Sequence, residues 1–130
     1  NHFSFENFGI KIPCSREENL CVKAFELLKK RYGIPNVSII LFKNIPIASG
    51  LGGGSSNASS TLMGLNELFN LKLNQQQLKN YASELGADCP FFIENTPQFA
   101  TEKGDVLNLS PINLKGKWLL LIFPEYKITQ

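Results

Sequence analysis

A glycine-rich stretch that runs directly into a helical pattern is the most constraining feature of this sequence. It lies between a strand-like run at Val37–Lys43 and a helical pattern at Ala58–Phe69. Four of the five positions from 50 to 54 are glycine, so the backbone can adopt positive φ and an anion can approach its N–H groups without meeting a Cβ. The start of the helix adds about half a positive charge. We therefore predict a phosphate-binding turn formed by Gly50, Leu51, Gly52, Gly53, Gly54, Ser55, Ser56 and Asn57.

An alternative interpretation of this stretch is a plain connector, because segments rich in glycine and serine often serve as flexible linkers. The residues that follow argue against it, since Ala58, Leu62, Leu65 and Phe69 fall on one face of a helix and predict a packed core. The stretch is not a Walker A loop, which needs a lysine before its serine or threonine. Backbone dipoles, Mg²⁺ and charges from elsewhere in the chain would have to neutralise a bound phosphate.

Composition narrows the class of protein. The 130 residues are 43% hydrophobic and carry a formal net charge of +2, which argues for a single packed domain and against a nucleic-acid partner. We find neither a membrane span nor a signal peptide in the sequence and expect a cytoplasmic location. The cysteines Cys14, Cys21 and Cys89 lack metal-ligand spacing and are expected to be free, mostly buried thiols in a reducing compartment. Nothing in the composition indicates the oligomeric state.

Alternating strand and helix signals predict an α+β fold with helices layered on a mostly antiparallel sheet. A first strand or hairpin is expected within residues 3–12. Ser15 and Glu18 form a capping-box pattern ahead of a helix that should end near Gly33, and a buried strand follows at Val37–Phe42.

Beyond the helix that follows the glycine-rich stretch, the pattern predicts one more helix and then strands. Asn74 and Gln77 are a second capping pair, and Gly86 is the expected helix end. The expected strands are Phe91–Ile93, Phe99–Thr101, Val106–Leu109 and Trp118–Phe123, with a tight turn at Lys103–Asp105.

Asp88 is the acidic residue that most suggests chemistry. It lies among small and apolar neighbours just after a predicted helix, where a buried carboxylate would be unusual unless it is paired or catalytic. A turn-capping role before Pro90 is the competing interpretation. His2 is the only histidine, so a general base would have to be a carboxylate, and no metal-binding residues are predicted.

Two segments together carry a resemblance to a known family. The segment Pro46–Ala58 resembles the ATP-binding motif of the GHMP kinase superfamily. Its Gly-Leu-Gly-Gly-Gly-Ser-Ser-Asn-Ala form, followed by Gly-Ala-Asp-Cys-Pro-Phe-Phe at 86–92, is similar to the branch that acts on 4-diphosphocytidyl-2-C-methyl-D-erythritol. The resemblance extends from about Glu18 to Pro124.

The resemblance implies that ATP with Mg²⁺ phosphorylates the 2-hydroxyl of that small molecule, a step of the non-mevalonate route to isoprenoid precursors, with Asp88 as the catalytic base. It implies an α+β domain related to the second domain of ribosomal protein S5, in which residues 1–124 form part of the ATP-binding domain and residues 125–130 begin a connection to a second domain. The family's catalytic lysine and third motif have no match in the sequence. We therefore expect an excised interior piece that has no kinase turnover by itself.

The family match also assigns roles to individual polar residues. It implies that Asn19 and Lys43 lie near the adenine or ribose of ATP. The residues alone are equally consistent with Asn19 as part of the helix start and Lys43 as a solvated strand end. Ser55 and Ser56 would bind phosphate or a metal-bound water, or only cap the helix. The segment Glu94–Gln98 departs from the family's small, glycine-rich residues and leaves the substrate contacts open.

Two further functions stay open at this point. Another GHMP kinase, acting on mevalonate, homoserine or a sugar, would share the glycine-rich motif, although the segment 86–90 disfavours it. A non-catalytic nucleotide-binding domain of S5-like fold is the alternative from another class. Whether Asp88 faces the glycine-rich stretch distinguishes this alternative from a kinase.

Overall fold

The computed structural model describes residues 2–102 and 106–122 and has an α+β architecture, which confirms the predicted fold class. Four helices and four short strands follow each other along the described chain. In chain order they are β1 (Ser4–Gly9), α1 (Leu20–Tyr32), β2 (Ser38–Lys43), α2 (Gly53–Leu68), α3 (Gln75–Leu85), α4 (Phe91–Glu94), β3 (Gln98–Thr101) and β4 (Val106–Leu109).

The strands form two separate pairs of opposite type. Strands β1 and β2 are parallel, with Ser4 opposite Ser38 and Gly9 opposite Lys43, so the antiparallel arrangement expected for most of the sheet does not hold for this pair. The reason is the connection: α1 carries the chain back along the sheet before β2 begins, and such a crossover joins parallel strands. Strands β3 and β4 are antiparallel, as predicted.

Strand β2 is buried on one face only, which corrects the prediction of a buried strand. Ile39 and Leu41 are half-buried, whereas the side chains of Ile40 and Phe42 on the other face are exposed. The ring of Phe42 stacks on that of Phe8 from β1, with ring centres 5.3 Å apart. Alternate residues of the continuous apolar run therefore face the core, and the apolar side chains between them are exposed on the other face of the strand.

Helix α1 begins later than the capping pattern suggested. Ser15 and Glu18 do exchange hydrogen bonds, Ser15 N–H to Glu18 Oε2 at 2.9 Å and Glu18 N–H to Ser15 Oγ at 3.3 Å, but they close a turn ahead of the helix. The residue that caps the helix is Asn19, whose Oδ1 accepts from the N–H of Cys21 at 2.9 Å. The predicted end at Gly33 is confirmed, since Gly33 adopts a left-handed conformation after the last turn.

The hydrophobic core lies among helices α1, α2 and α3. Both capping-box hydrogen bonds between Asn74 and Gln77 are present at the start of α3, and Gly86 ends that helix, as predicted. The helical face expected for α2 is confirmed for Ala58, Leu62 and Leu65. The core cluster consists of Ala24, Phe25, Leu28, Ile34, Ala58, Leu62, Leu65, Leu73, Leu78, Ala82 and Cys89.

Two of the predicted strands are wrong. Phe91–Ile93 belong to the short helix α4, because Pro90 has helical backbone angles and directs the chain into a turn of helix; a short apolar run alone cannot separate the two states. Residues 118–122 form no strand, and Trp118 is fully exposed. Phe123, the predicted Lys103–Asp105 turn and the predicted connection at 125–130 lie outside the described residues. Within the described ranges, no helix has the length and apolar character needed to cross a membrane.

We expect Asn74→Ala to lower the free energy of unfolding by about 1 kcal/mol, because it removes the side chain that accepts from the N–H of Gln77 at 2.9 Å. The exposed neighbour Gln75 offers a matched control, since Gln75→Ala leaves the capping pair intact. Chemical denaturation of both variants measures the difference. Equal midpoints for the two would contradict the contribution of the cap.

Candidate active site

The glycine-rich turn ends at Gly52, from which helix α2 starts. Gly52 is the N-cap and has φ of 65°, and the helix begins at Gly53, two residues before the expected start near Ser55. A Cβ at Gly52 would lie 2.6 Å from Cζ of Phe92, so both the backbone angle and the neighbouring ring require glycine there. No side chain among the described residues caps this helix end. The first-turn N–H groups are thus free for an anion.

Lys43 is a buried cation beside this helix start. Lys43 is only 5% exposed, which rules out its interpretation as a solvated strand end. The Nζ donates to Oδ1 of Asn57 at 3.1 Å and forms no ion pair with a carboxylate in the described part of the chain. A buried ammonium without a counter-ion next to a helix N-terminus makes this region strongly attractive to anions.

Asn19 lies in the same region and is also buried. Because its Oδ1 accepts from the N–H of Cys21, the interpretation as part of the helix start is confirmed. The carboxamide Nδ2 is the group that it can still offer to a ligand as a donor.

These residues line one cavity of about 320 Å³. The glycine-rich turn forms one wall, and the start of α1 and the end of β2 form the others. Its polar lining includes Glu18, Asn19, Lys43, Ser49, Ser55 and Asn57. The cavity therefore brings Asn19, Lys43 and the predicted phosphate-binding turn together, as the sequence suggested only through its resemblance to a family.

A second cavity of about 290 Å³ lies on the other side of the turn. Asp88 lines it together with Gly50, Leu51 and Gly52, so Asp88 and the turn face a common space. Asp88 is exposed, which corrects the expectation of a buried carboxylate; the two residues that follow it, Cys89 and Pro90, are buried instead. The remaining lining consists of Phe91, Phe92, Gln98, Ala100 and Leu107.

The two serines at the start of α2 do not cap it. Ser56 N–H donates to the carbonyl of Gly52 at 2.9 Å as the first bond of the helix, and the N-cap position belongs to Gly52. The hydroxyl of Ser55 instead lies near the Cys89 thiol and lowers the pKa of that thiol. Ser55 lines the first cavity, whereas Ser56 lines neither cavity, and the phosphate or water contacts expected of the two serines stay a prediction.

The segment Glu94–Gln98 is anchored to α3. Glu94 forms an ion pair with Lys79 at 2.9 Å, and its other carboxylate oxygen accepts from Nε2 of Gln98. Gln98 in turn lines the second cavity. The ion pair and the hydrogen bond of Glu94 thus fix the wall of the second cavity that Gln98 forms. The sequence pattern did not predict either interaction.

Sequence reasoning also missed two residues that order the site. Phe92 packs against Gly52, and the buried Ser59 donates to the carbonyl of Cys89 at 2.7 Å. A serine on the apolar face of α2 was the available signal, because a buried hydroxyl requires a partner. No group of three or more histidine, cysteine or acidic side chains within residues 2–102 and 106–122 could hold a metal ion.

A match to a known protein family shows which class of protein this chain belongs to. Residues 19–95, more than half of the chain, match the family described as GHMP kinases N terminal domain. The chain belongs to this family.

Individual proteins match almost the whole length of the chain. The chain is 46% identical over 95% of its length to 4-diphosphocytidyl-2-C-methyl-D-erythritol kinase of Bacteroides thetaiotaomicron, and 48% identical over 96% to the protein of the same name from Azobacteroides pseudotrichonymphae. It covers 45% and 47% of those two proteins, so the chain spans less than half the length of its curated relatives. A crystal structure of 4-(cytidine 5'-diphospho)-2C-methyl-D-erythritol kinase matches 87% of this chain, and 40% of that one, with a TM-score of 0.71 and 33% identity.

Stability at alkaline pH should reflect the buried thiols. Burial raises the pKa of the Cys89 thiol above its ordinary 9.0, the nearby hydroxyl of Ser55 opposes the rise, and the charge of Asp88 adds to it. Burial likewise raises the pKa of Cys21. As the pH rises, the unfolded state therefore loses these thiol protons before the folded state does. The contribution of the two thiols to the free energy of unfolding is fully present below pH 9 and is lost as the pH rises through their folded-state pKa values.

We expect Cys89→Ala to flatten the fall in the free energy of unfolding between pH 8 and pH 10.5, with Cys21 responsible for the part that persists. Urea denaturation across that pH range measures the slope. Cys14→Ala serves as control because Cys14 is exposed. Parallel pH profiles for wild type and Cys89→Ala would contradict the assignment.

Proposed function

We propose that the complete protein containing this chain is an ATP-dependent kinase that phosphorylates the 2-hydroxyl of 4-diphosphocytidyl-2-C-methyl-D-erythritol. The observation on which the proposal rests is the pair of cavities that share Gly50, Leu51 and Gly52 as a common wall, with the buried cation on one side and Asp88 on the other. The names of the curated relatives indicate the substrate.

The first cavity is the proposed nucleotide side. The phosphates of ATP would bind the N–H groups of Gly50–Asn57, where the helix start and Lys43 offset their charge. Asn19 would donate to the adenine or ribose through Nδ2. Magnesium in kinase sites is held by one or two carboxylates and by substrate phosphates. Glu18 and Ser55 in this cavity and Asp88 in the second cavity offer oxygen donors for that arrangement. When bound, the ion would neutralise charge on the phosphates.

The second cavity is the proposed acceptor side. Phosphoryl transfer needs in-line positioning of the hydroxyl and a group that receives its proton. Asp88 is that group in the proposal, since its exposed carboxylate faces the turn that would hold the phosphates. The aromatic rings of Phe91 and Phe92 would exclude water from one side of the acceptor.

The alternatives differ in substrate or in chemistry. Another GHMP kinase would use the same two cavities with mevalonate, homoserine or a sugar in the second. A non-catalytic nucleotide-binding domain would have no use for a carboxylate facing the turn, and the common cavity of Asp88 and Gly50–Gly52 argues against it. The free cysteines support the proposed cytoplasmic, reducing location.

The decisive experiment is a phosphoryl-transfer assay of the full-length protein. Purified protein is incubated with γ-labelled ATP, Mg²⁺ and each of 4-diphosphocytidyl-2-C-methyl-D-erythritol, mevalonate, homoserine and galactose. Label transferred only to the first compound supports the proposal. Label on another alcohol transfers the assignment to a different kinase, and nucleotide binding without any transfer favours the non-catalytic domain.

Gly53→Ala should weaken ATP binding by about tenfold. An added Cβ would lie 2.9 Å from Nζ of Lys43 and 3.0 Å from Cγ2 of Ile45, so it would displace the ammonium from the phosphate side of the turn. A valine would press further into Ile45 and endanger the fold as well, which makes alanine the sharper test.

Gly64→Ala, on the same helix but outside both cavities, is the matched control for this prediction. Its added Cβ would meet no atom within 4 Å. Calorimetric titration of both full-length variants with ATP gives the two affinities. The same loss in both, or in neither, would contradict the role of the Lys43 ammonium.

Asp88→Asn should lower kcat by roughly 10²- to 10⁴-fold and change substrate binding little, because the amide keeps the size of the side chain but cannot accept the proton. A turn-capping role would give the opposite pattern, with a loss of about 1 kcal/mol in stability and surviving turnover. Measuring kcat and the denaturation midpoint on the same variant separates the two. A kcat close to that of wild type would remove Asp88 from the mechanism.

A further inference from the structure

We infer that Ser59 is a positioning residue that sets the location of Asp88 relative to the glycine-rich turn. The inference rests on the proposed function for its catalytic consequence and on the contacts of Ser59 for its structural one. Ser59 lies on helix α2, the same helix whose first turn forms the proposed phosphate site.

The hydrogen bond of Ser59 is fully enclosed. Ser59 and Cys89 are both 0% exposed, and Ser59 Oγ donates to the carbonyl oxygen of Cys89 at 2.7 Å. Water cannot replace the hydroxyl at such a site, so its loss would leave the carbonyl underbonded.

Cys89 is the residue directly after Asp88 and closes the turn that presents it. Its N–H donates to the carbonyl of Gly86 at 3.1 Å, and its carbonyl also accepts from the N–H of Phe92 at 3.1 Å. Ser59 thus bonds to the one carbonyl at which the turn and α4 meet.

This arrangement makes one helix responsible for both halves of the site. Gly52, the N-cap of α2, lies in the wall shared by the two cavities, the first turn of α2 lines the first cavity, and its second turn holds the peptide next to Asp88. The position of the carboxylate relative to the turn is therefore fixed through about six residues of rigid helix, since Ser59 follows Gly53 by that number. Placement of a base within hydrogen-bond reach of its proton is what general-base catalysis requires.

Ser59→Ala in the full-length protein tests the inference, with Ser60→Ala as the control. The two positions are adjacent on α2 and undergo the same substitution, but Ser60 is exposed. We expect Ser59→Ala to lower kcat for phosphorylation of 4-diphosphocytidyl-2-C-methyl-D-erythritol by about tenfold, with KM for ATP unchanged within twofold. Ser60→Ala should match wild type in both quantities.

Amide hydrogen exchange on the same variants supplies a readout that needs no turnover. Ser59→Ala should speed exchange at Cys89 and Phe92 by about tenfold while the amides in the middle of α3 keep their wild-type rates. If wild-type protein transfers no phosphate, the proposed function fails and this local exchange alone decides the inference. Unchanged exchange at residues 86–92, a uniform increase over the whole chain, or parallel losses in kcat and ATP affinity would each overturn it.

Discussion

The packing of helix α2 against its neighbours is the constraint on which the rest of this structure depends. Ala58, Ser59 and Leu62 are completely buried along its inner face and contact the core shared with α1 and α3. Small residues at two of these positions let the adjoining backbone come close, which is how the segment after α3 reaches Ser59. Because α2 is immobilised by the core, its N-terminus is a fixed electrostatic feature of the surface.

The positive potential of the first cavity lowers the stability of the protein when no ligand is bound. Lys43 is buried near an uncapped helix start, and both contribute positive potential to the first cavity. An anion that binds there relieves both groups at once. Ligand binding and stability should therefore be linked, with the gain growing as the ligand concentration exceeds its dissociation constant.

Local patterns predicted the elements that local forces determine. The capping box at Asn74 and Gln77, the left-handed end at Gly33 and the boundaries of β4 depend on neighbours within a few residues, and all three are present. The exposure of Phe42 and the burial of Lys43 depend on distant packing, because they follow from which face of β2 meets the core. The helical state of Phe91–Ile93 follows instead from the helical backbone of Pro90, and a short apolar run does not encode either choice.

The candidate site divides in the same way. Glycine spacing predicted the turn, since positive φ and close approach are properties of the residues themselves. The common cavity of Asp88 with that turn joins segments about 36 residues apart and could be anticipated only from a family resemblance. The ion pair of Glu94 with Lys79 and the bond of Ser59 to Cys89 had no local pattern at all, because each requires the helices to be already in place.

The contact of Phe92 with Gly52 gives the two positions an asymmetric epistasis. A side chain at 52 faces two independent obstacles, the φ of 65° and the ring of Phe92, and a smaller residue at 92 removes only the second. Gly52→Ala would therefore be partly relieved in a Phe92→Ala background and still bear the backbone strain of about 1 kcal/mol. A smaller residue at 92 therefore does little to permit a side chain at 52. Glycine at 52, which has no Cβ, leaves space at 92 for aromatic rings of different shape.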